Sequence, residues 1–554
     1  MKRGTFHGGL HRVSGRVSSA CLALLLAGLS MGGHGQVVQT RAPAEAGESD
    51  KYRVFIRAGT APEREIQVLL SRANGEGDYR ASELEGRTFS YAAVSYGPAC
   101  GPLQIRVVKT FGDIAQDVTI HPLHGAPAME KSPDGRGCRF AVESPGRYLS
   151  VHFEGEDNQT PRSKWIRHML AVFIDPLETE MPGPESGGVV NYRRDLDPQT
   201  LRGARTIAFP PGFHDLKKFV GGDPIDRDGV LHLGENQALY LAGGSFVEGL
   251  VETTSRTAKG QRIYGRGVLS GRAYLWRRHP RFSGRAFHQL VLLGDQARID
   301  GVTLQESPNH GIVAQKTEIR NLKFLGWHCN NDAIRVGSGS SIRNSFLRAV
   351  DDFFYNFNIH VSNVVLWPGH NGAVLTYGWG EGNTYRSGAS LLEDLDLIHP
   401  EWTALGNNNG LVASQVKFDY RPYGYGGSPT TRLRNIRIEG SIPGLVNLKP
   451  YTGAGGAVLA KPEPDGKVGS LGDLLLQDVS VAAMSGRSLI QGAGGASPSG
   501  ETFWVQKVRF ENLRIGGVPV TRSNRGSTFS IDPATTREIE FPEDAAWPTT
   551  RTPY

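Results

Sequence analysis

The chain has 554 residues, 71 of them glycine, and a formal net charge of +6 from 61 basic and 55 acidic residues. This length exceeds what one ordinary hydrophobic core fills, so it predicts two domains or one elongated repeat domain. The glycines follow no three-residue period, which excludes a collagen-like chain and favours a β protein rich in turns.

The N-terminal segment has the order of a secretion signal. Lys2, Arg3, Arg12 and Arg16 precede the apolar run at 21–29, and small residues follow that run. The apolar run is too short to cross a membrane. We therefore predict a signal peptide over residues 1–35, a secreted or periplasmic protein, and no membrane association once the signal is removed.

Removal of this signal changes what the net charge means. The four basic residues leave with it, so the net charge of the mature chain falls from +6 to about +2. No cluster of Lys and Arg with interleaved aromatic residues remains to indicate nucleic-acid binding, and no polybasic tail indicates a membrane surface. A strongly acidic partner is therefore not expected.

Between about residues 51 and 175, short apolar runs alternate with turns, as in YRVFIRA at 52–58 and MLAVFID at 169–175. This pattern predicts an antiparallel β-sandwich. The segment 176–188 is rich in Pro, Gly and acidic residues and is typical of a linker. We therefore place an N-terminal β-sandwich domain at 36–180 and a second domain at 181–554. Cys100 and Cys138 lie in the first domain, where an exported protein can pair them, and whether they do stays open.

In the second domain, short β-branched or leucine-rich runs return, each with an Asn, Asp or Gly near its middle. Asn321, Asn344 and Asn363 occupy such positions at intervals of 23 and 19 residues. No helical segments separate the runs, which argues against a β/α barrel, and a β-propeller repeats nearer every forty residues. The spacing predicts a parallel β-helix in which polar residues at matching corners form ladders.

Three aspartates recur at the interval of about one coil. Asp332 precedes Asp351 by 19 residues, and Asp352 follows directly. We expect Asp351 to lie beside Asp332 on the neighbouring coil, and Asp352 to face the opposite side unless a turn re-aims it. The same interval adds 370–371 from the next coil and 309–310 from the preceding coil.

Aromatic residues flank these rows, and carboxylates lined by aromatic rings and amides are suited to a sugar-binding cleft with acid–base chemistry. Glycoside hydrolysis needs one carboxylic acid that protonates the leaving oxygen and a second carboxylate that activates water or attacks directly. Each motif alone is also typical of a turn or a Ca²⁺ site, and these readings stay open. The predicted substrate-binding residues are Trp327, Asn331, Trp367, His370, Asn371, Trp379 and Lys417.

The stretches GWHCNNDAIRV, AVDDFFYNF and VVLWPGHNGAVLTYGWG resemble glycoside hydrolase family 49, the dextranase and isopullulanase family. The resemblance is dense over 326–380 and architectural elsewhere. It implies an all-β chain with an N-terminal β-sandwich followed by a right-handed parallel β-helix. It also implies Asp351 as general acid, Asp332 and Asp352 as the pair that positions and activates water, inversion at the anomeric carbon, and no metal or organic cofactor.

The chain departs from the family pattern after the doubled Asp, where Phe353, Phe354 and Tyr355 replace smaller residues. These bulky side chains are expected beside the scissile bond, where they reshape, narrow or block the cleft. Polygalacturonases of family 28 have a related Asp series, but they also need a basic motif that grips a uronate, for which Lys417 is the nearest candidate.

The expected protein is a secreted, monomeric, endo-acting hydrolase of a neutral α-glucan. The alternatives are a polygalacturonase-like pectin hydrolase and a non-catalytic carbohydrate-binding β-helix. A polysaccharide lyase would need a uronate substrate, and usually Ca²⁺ with a Lys or Arg base.

Overall fold

A computed structural model gives the fold and describes residues 37–73, 84, 86–183, 186–276, 286–379, 390–416, 430–450, 470–495 and 500–544. The signal peptide predicted over residues 1–35 lies outside the described residues. Among the helices of the described part of the chain, none has the length and apolar character needed to cross a membrane.

The first part of the chain forms two sheets. Their strands are β1 (Val37–Val38), β2 (Tyr52–Ala58), β3 (Arg64–Ile66), β4 (Leu69–Ser71), β5 (Thr88–Tyr96), β6 (Leu103–Lys109), β7 (Asp117–His121), β8 (Met129–Lys131), β9 (Gly137–Val142), β10 (Arg147–Glu154) and β11 (His168–Pro176). One sheet has the order β1-β5-β11-β10-β7, with β4 beside β5, and the other has the order β3-β2-β6-β9-β8.

Apolar side chains from both sheets form one buried cluster, as expected for a sandwich. In β2 buried positions alternate with outward-facing ones, which is the period of a strand with one face on the core. The predicted β-sandwich is confirmed, with one exception to its antiparallel order, because β5 and β11 pair in parallel. Cys138 is a buried free thiol in this core, and the side chain of Cys100 is outside the described set.

The second part of the chain coils into two long sheets. The larger contains β12 (Val189–Asn191), β13 (Thr206–Phe209), β14 (Gly212–Asp215), β16 (Ala238–Leu241), β17 (Ser245–Glu248), β19 (Arg262–Gly265), β20 (Val268–Ser270), β22 (Ala297–Asp300), β23 (Thr303–Gln305), β25 (Thr317–Arg320), β26 (Lys323–Leu325), β28 (Ser341–Ala349), β30 (His360–Pro368), β32 (Leu391–Leu397), β34 (Thr431–Ile442), β36 (Ser470–Met484), β38 (Trp504–Ile515), β39 (Val518–Pro519) and β41 (Thr536–Glu540).

The smaller sheet contains β15 (Val230–Leu233), β18 (Leu250–Thr253), β21 (Leu290–Leu292), β24 (Ile312–Ala314), β27 (Ile334–Val336), β29 (Phe354–Tyr355), β31 (Ala373–Trp379), β33 (Gly410–Val416), β35 (Val446–Pro450), β37 (Ser488–Ile490) and β40 (Phe529–Ile531). A short helix, α1 (Pro198–Gly203), precedes β13, and the Asp197 side chain caps it by accepting a hydrogen bond from the Thr200 backbone N–H. Single 3₁₀ turns lie at Ala44–Ala46, Pro98–Cys100, Glu156–Asn158, Leu216–Lys218 and Arg525–Ser527.

Successive strands of both long sheets pair in parallel, as β28 and β30 do through Ser341 and His360. Among the described strand-to-strand pairings of these two sheets, β38 with β39 is the antiparallel exception. A continuous apolar cluster fills the space inside the coils. The predicted parallel β-helix is therefore confirmed.

The recurring Asn and Asp positions are the corners where long strands bend. Asn321, Asn344 and Asn363 have φ of 53°, 49° and 53°, a left-handed conformation that Asn tolerates better than most residues. The Asn363 amide Nδ2 donates to Oδ1 of Asn344 at 2.9 Å, and Asn321 donates to Asp300 in the same way at 2.7 Å. The ladder predicted from the sequence is therefore confirmed at these corners.

The sandwich packs on the larger sheet of the β-helix through a separate apolar cluster. Phe89 and Phe173 from the sandwich meet Trp327, Phe346 and Trp367 from the β-helix. Two ion pairs cross the same interface, Arg87 with Glu401 at 2.6 Å and Lys323 with Asp175 at 2.8 Å, and all four side chains are buried. The turns that follow β26, β28 and β30 leave this sheet at the edge of the interface, and they carry the candidate site.

Candidate active site

Three carboxylates converge at the turns between the two long sheets. Asp332 lies between β26 and β27, and Asp351 and Asp352 lie between β28 and β29. One oxygen of each carboxylate lies within 4.8 Å of an oxygen of the other two, and all three residues are buried. Two neighbouring coils therefore bring together the three aspartates that the sequence singled out.

The register within this group differs from the expectation. Ile334 of β27 pairs with Phe354 of β29, so Asp352, and not Asp351, occupies the position stacked on Asp332. The chain bends at Asp351 instead of continuing as a strand. Strand alternation therefore does not apply there, and the side chains of both Asp351 and Asp352 point into the cluster.

A glycine on the next coil lets the cluster form. Gly372 has φ of 85°, and a Cβ built on it would lie 2.1 Å from the carbonyl carbon of Asp351 and 2.4 Å from the backbone nitrogen of Asp352. Only a residue without a side chain permits this approach. The coil carrying Asn371 and Ala373 can therefore press against the doubled Asp.

Asp351 accepts hydrogen bonds from three directions. Its Oδ2 accepts from the Asn330 backbone N–H at 2.9 Å and from Nδ2 of Asn371 at 2.8 Å. Its Oδ1 accepts from the Asp352 backbone N–H at 3.0 Å. Burial nevertheless raises the pKa of Asp351, and the negative charge of Asp332 raises it further, to about 7.

Asp332 has a different environment. Its Oδ1 lies 3.0 Å from Nδ1 of His310, and its Oδ2 accepts a hydrogen bond from the Tyr355 hydroxyl. Burial raises the pKa of this carboxyl, but the charge of His310 and the hydrogen bonds from His310 and Tyr355 outweigh burial and leave the pKa below its usual value. Asp332 is therefore ionised at a pH where Asp351 still holds its proton.

Asp352 is held by amide donors. Its Oδ1 accepts from the Ala373 backbone N–H and from Nδ2 of Asn408, both at 2.9 Å. Asn408 lies one coil beyond Ala373, so four successive coils contribute to the cluster. Sequence reasoning did not identify Asn408, because its Asn-Asn-Asn run is typical of a loop and carries no sign of a carboxylate partner.

His310 and Tyr355 were noticed in the sequence but not predicted as site residues. His310 was placed in the row of the preceding coil, and its ring centroid also lies 4.7 Å from that of His288. The sequence predicts that Tyr355, with Phe353 and Phe354, lies beside the scissile bond and reshapes, narrows or blocks the cleft. All three side chains are buried in the apolar interior of the β-helix, and only the Tyr355 hydroxyl reaches the cluster. That expectation is corrected, because the chain turns inward directly after Asp352.

Trp327 and Trp367 do not line a cleft. Both are fully buried where the sandwich meets the β-helix. The Trp327 indole donates to the Ser71 hydroxyl at 2.9 Å, and the Trp367 indole donates to Glu401 at 3.3 Å. Their predicted contact with substrate is corrected to a structural role, since the sequence periodicity does not show that a second domain covers this face.

Asn331 also has a structural role. Its side-chain oxygen accepts from the backbone N–H groups of Trp327 and His328, at 2.6 and 2.8 Å, and its Nδ2 donates to the carbonyl oxygens of Ser307 and Asn309. These bonds fix the turn that presents Asp332. The side chain is fully buried, so it does not contact substrate.

Asn371 lies at the cluster, at the place that its register predicts, whereas the His370 ring contacts other residues. Asn371 contacts Asp351 directly and is partly exposed. The His370 ring stacks on Trp165 of the sandwich, with centroids 5.5 Å apart and planes at 13°, and its Nε2 lies 3.1 Å from Sγ of Cys329. The side chain of Trp379 and all of Lys417 lie outside the described residues.

No family model matches the chain. Over 438 residues it is 24% identical to isopullulanase from Aspergillus niger, an alignment that covers 72% of this chain and 71% of that protein. It is 26% identical over 357 residues to dextranase from Arthrobacter globiformis, covering 56% of this chain and about half, 54%, of that protein.

Among solved structures, Dex49A from Penicillium minioluteum covers 92% of this chain and 99% of its own, with 17% identity and a TM-score of 0.68. This similarity extends through both the sandwich and the β-helix. The solved structure shows the shared fold, and the two relatives by sequence confirm the resemblance to the dextranase and isopullulanase family that the three motifs indicated.

Proposed function

We propose that this glycoside hydrolase of family 49 cleaves an α-glucan within its chain, with Asp351 as general acid and Asp332 and Asp352 holding the attacking water. The observation that carries the proposal is the cluster itself. Three buried carboxylates meet at one point, and their surroundings push the pKa values of Asp351 and Asp332 in opposite directions. Such a divergence assigns an acid and a base within one site.

Asp351 supplies the proton. A carboxyl with a pKa of about 7 is largely protonated in mildly acidic solution, so it can donate to the glycosidic oxygen as the bond from that oxygen to the anomeric carbon breaks. The hydrogen bond from Asn371 stabilises the carboxylate that remains. Asn371 is thus a positioning residue for the acid.

Water supplies the new bond to the anomeric carbon. Asp332 is ionised and can accept a proton from that water, while Asp352, oriented by Ala373 and Asn408, can hold the same molecule. Asp351 gives its proton to the oxygen of the leaving sugar. Asp332 takes one proton from the water, so the total number of protons on the cluster is unchanged. His310 stabilises the ionised state of Asp332 before that proton is accepted.

Inversion of configuration is part of the proposal, and the family resemblance supports it. The distance between carboxylates does not support it by itself. The oxygens of the cluster lie within 4.8 Å of one another, whereas opposed carboxyls in inverting enzymes are usually about 6.5–9.5 Å apart. A water bound by Asp332 and Asp352 therefore lies beside the cluster and not between two opposed groups.

The names of the relatives support an α-glucan, since one is called an isopullulanase and the other a dextranase. We propose a neutral glucan with α-1,6 links or links next to them as substrate. The N-terminal sequence supports export, and we propose a monomer that acts on polysaccharide outside the cytoplasm and no longer contacts a membrane once the signal is removed. No metal or organic cofactor is assigned to the reaction.

Proton NMR of the mature protein with dextran, pullulan and polygalacturonate in parallel tests this function. New β-anomeric reducing ends from either α-glucan are the expected result. New α-anomeric ends would show that the enzyme retains the anomeric configuration. Cleavage of polygalacturonate alone would show that the substrate is a pectin and not an α-glucan. Absence of turnover on all three would refute the proposed substrate.

Substitution of the acid tests its role. Asp351→Asn keeps the shape of the side chain but removes the proton donor, and we expect kcat to fall by about 10³-fold or more. Asp394→Asn is the matched control, since Asp394 is an exposed corner residue paired with Asn435. Unchanged turnover in Asp351→Asn would remove Asp351 from the mechanism.

A further inference from the structure

Three histidines from distant parts of the sequence meet where the sandwich packs on the β-helix. His121 ends β7, His152 lies in β10, and His399 follows β32. One ring nitrogen of each lies within 4.8 Å of the corresponding nitrogens of the other two. Each residue is partly exposed, so an ion can reach the group from solvent.

The two sandwich histidines share one face of their sheet. β7 and β10 are antiparallel, and His121 pairs with Ser150, two residues before His152. Side chains two residues apart on a strand point the same way, as do directly paired residues on adjacent strands. The sheet thus presents His121, Ser150 and His152 together towards the β-helix.

His399 reaches this face from the β-helix. Its backbone has φ of 47°, a conformation that residues other than glycine seldom adopt. Its ring centroid lies 4.1 Å from that of His121 and 5.4 Å from that of His152, and its Nε2 lies 3.1 Å from the Ser150 hydroxyl. The strained backbone of His399 thus places a third imidazole beside the other two.

A buried carboxylate orients the first ring. Oε2 of Glu439 lies 2.5 Å from Nδ1 of His121, and Oε1 of the same carboxylate accepts from the Leu123 backbone N–H. Histidines that bind metals commonly donate their second ring N–H to a carboxylate in this way, which leaves Nε2 for the ion. Glu439 also supplies a negative charge next to a site built from neutral ligands.

Burial disfavours the protonated form of two of the three imidazoles. Burial lowers the pKa of His152 to about 4, with the charge of His121 adding to the effect. Burial also lowers the pKa of His399 well below its usual value, and His121 and His152 lower it further.

We propose that His121, His152 and His399 bind one divalent transition-metal ion, with Zn²⁺ the probe that suits the ligand set, and that this ion fastens the sandwich to the β-helix. Three imidazoles and one water make a tetrahedral Zn²⁺ site with Zn–N of about 2.0–2.1 Å. The site shares no residue with the carboxylate cluster and does not depend on the proposed glycan chemistry.

The test uses the tag-free mature protein, stripped of metal with a chelator and titrated with Zn²⁺. We expect one equivalent bound by calorimetry and elemental analysis, and an increase in Tm of about 2–4 °C at a hundredfold excess over the Kd. The double variant His121→Gln/His152→Gln should lose both the binding and the shift. His124→Gln, an exposed histidine close to His121 in sequence, should keep both.

A second measurement does not depend on a variant that folds. Co²⁺ added to the stripped wild-type protein should give the intense visible absorption of a tetrahedral ion, saturating at one equivalent and displaced by Zn²⁺. The same spectrum in Asp351→Asn would separate this site from the carboxylate cluster. The proposal is overturned if wild-type protein binds no stoichiometric metal, if the spectrum is that of an octahedral ion, or if the folded double variant binds Zn²⁺ unchanged.

Discussion

Asp351 is buried at a cost to stability, because its surroundings favour the protonated form. A carboxyl whose folded pKa lies above its unfolded value binds more protons in the folded state between the two values. The free energy of unfolding therefore falls as pH rises through that window, here from about 4 to about 7. The same group that serves as the acid thus weakens the fold at alkaline pH.

This predicts a pH-dependent gain in stability for Asp351→Asn. At pH 8 the wild type buries a charge beside Asp332, and the amide removes it, so the variant should be more stable by on the order of 2 kcal/mol. At pH 4 the advantage should vanish, because the wild-type carboxyl is then protonated in the folded state. Urea unfolding at the two pH values measures this, and equal effects at both would contradict it.

Tyr355 links an apolar strand to the chemistry through its hydroxyl alone. Its ring stacks on Phe357 at 5.6 Å in the β-helix interior, while the hydroxyl donates to Asp332. Tyr355→Phe should keep the fold but raise the pKa of Asp332, because the ionised carboxylate loses a donor. The acidic limb of the pH profile of kcat/KM should then move up by about one unit.

The matched control for this change is Tyr192→Phe, which removes a hydroxyl from another buried ring of the β-helix, stacked on Phe209. The control should leave the acidic limb in place. An unmoved limb in Tyr355→Phe as well would show that the hydroxyl does not tune Asp332.

At the scale of single elements, the turns between the two long sheets determine the geometry of the site. Gly372 lies in one of these turns, at a position with no room for a side chain. Gly372→Ala places a methyl group against the backbone of Asp351 and Asp352, which cannot move as a flexible side chain can. We expect a loss of about 3 kcal/mol or more in the free energy of unfolding, with activity lost in whatever folded protein remains.

Gly339→Ala separates this clash from backbone strain. Gly339 has φ of 80°, but the nearest atom to an added Cβ is the end of the flexible Lys316 side chain, at 3.3 Å. It should cost only about 1 kcal/mol and leave activity intact. Similar losses for the two variants would mean that the close approach of Gly372 does not matter.

The coils and their corners were predictable because they repeat. Asn344 and Asn363 mark corners 19 residues apart, and the same interval placed Asp332 beside the doubled Asp. The direction of Asp352 was not predictable in the same way, because alternation holds within a strand and the chain bends at Asp351. Periodicity thus predicted which residues lie near each carboxylate, whereas the conformation of the turn determines where the side chain points.

At the scale of the whole molecule, the contacts between sandwich and β-helix carry no periodic signal. The sequence predicts that Trp327 and Trp367 contact the substrate, because their burial becomes evident only once the sandwich is seen to cover them. Arg87 and Glu401 are 314 positions apart, so no local pattern joins them. The three-histidine site has the same character, since two of its ligands come from one domain and the third from the other.

Glu401 holds this interface together electrostatically. Its Oε1 lies 2.6 Å from Arg87, its Oε2 lies 3.5 Å from Arg348, and it also accepts from the Trp367 indole. Burial raises the pKa of Glu401, but the two guanidinium groups outweigh burial and lower it to about 2. One carboxylate therefore compensates two fully buried cations.

Glu401→Gln should be strongly destabilising, because it leaves both guanidinium groups buried without their counter-charge. Breaking a buried ion pair in this way costs about 3–5 kcal/mol, whereas an exposed pair is worth less than about 1 kcal/mol. Glu318→Gln, which breaks the exposed pair with Arg343 at 2.9 Å, is the matched control.

Urea unfolding followed by tryptophan fluorescence should show a large loss in the free energy of unfolding for Glu401→Gln and little change for Glu318→Gln. Because Trp327 and Trp367 lie in this interface, their signal should change first in Glu401→Gln if the sandwich separates before the β-helix unfolds. Equal losses for the two variants would show that Glu401 does not hold the sandwich on the β-helix electrostatically.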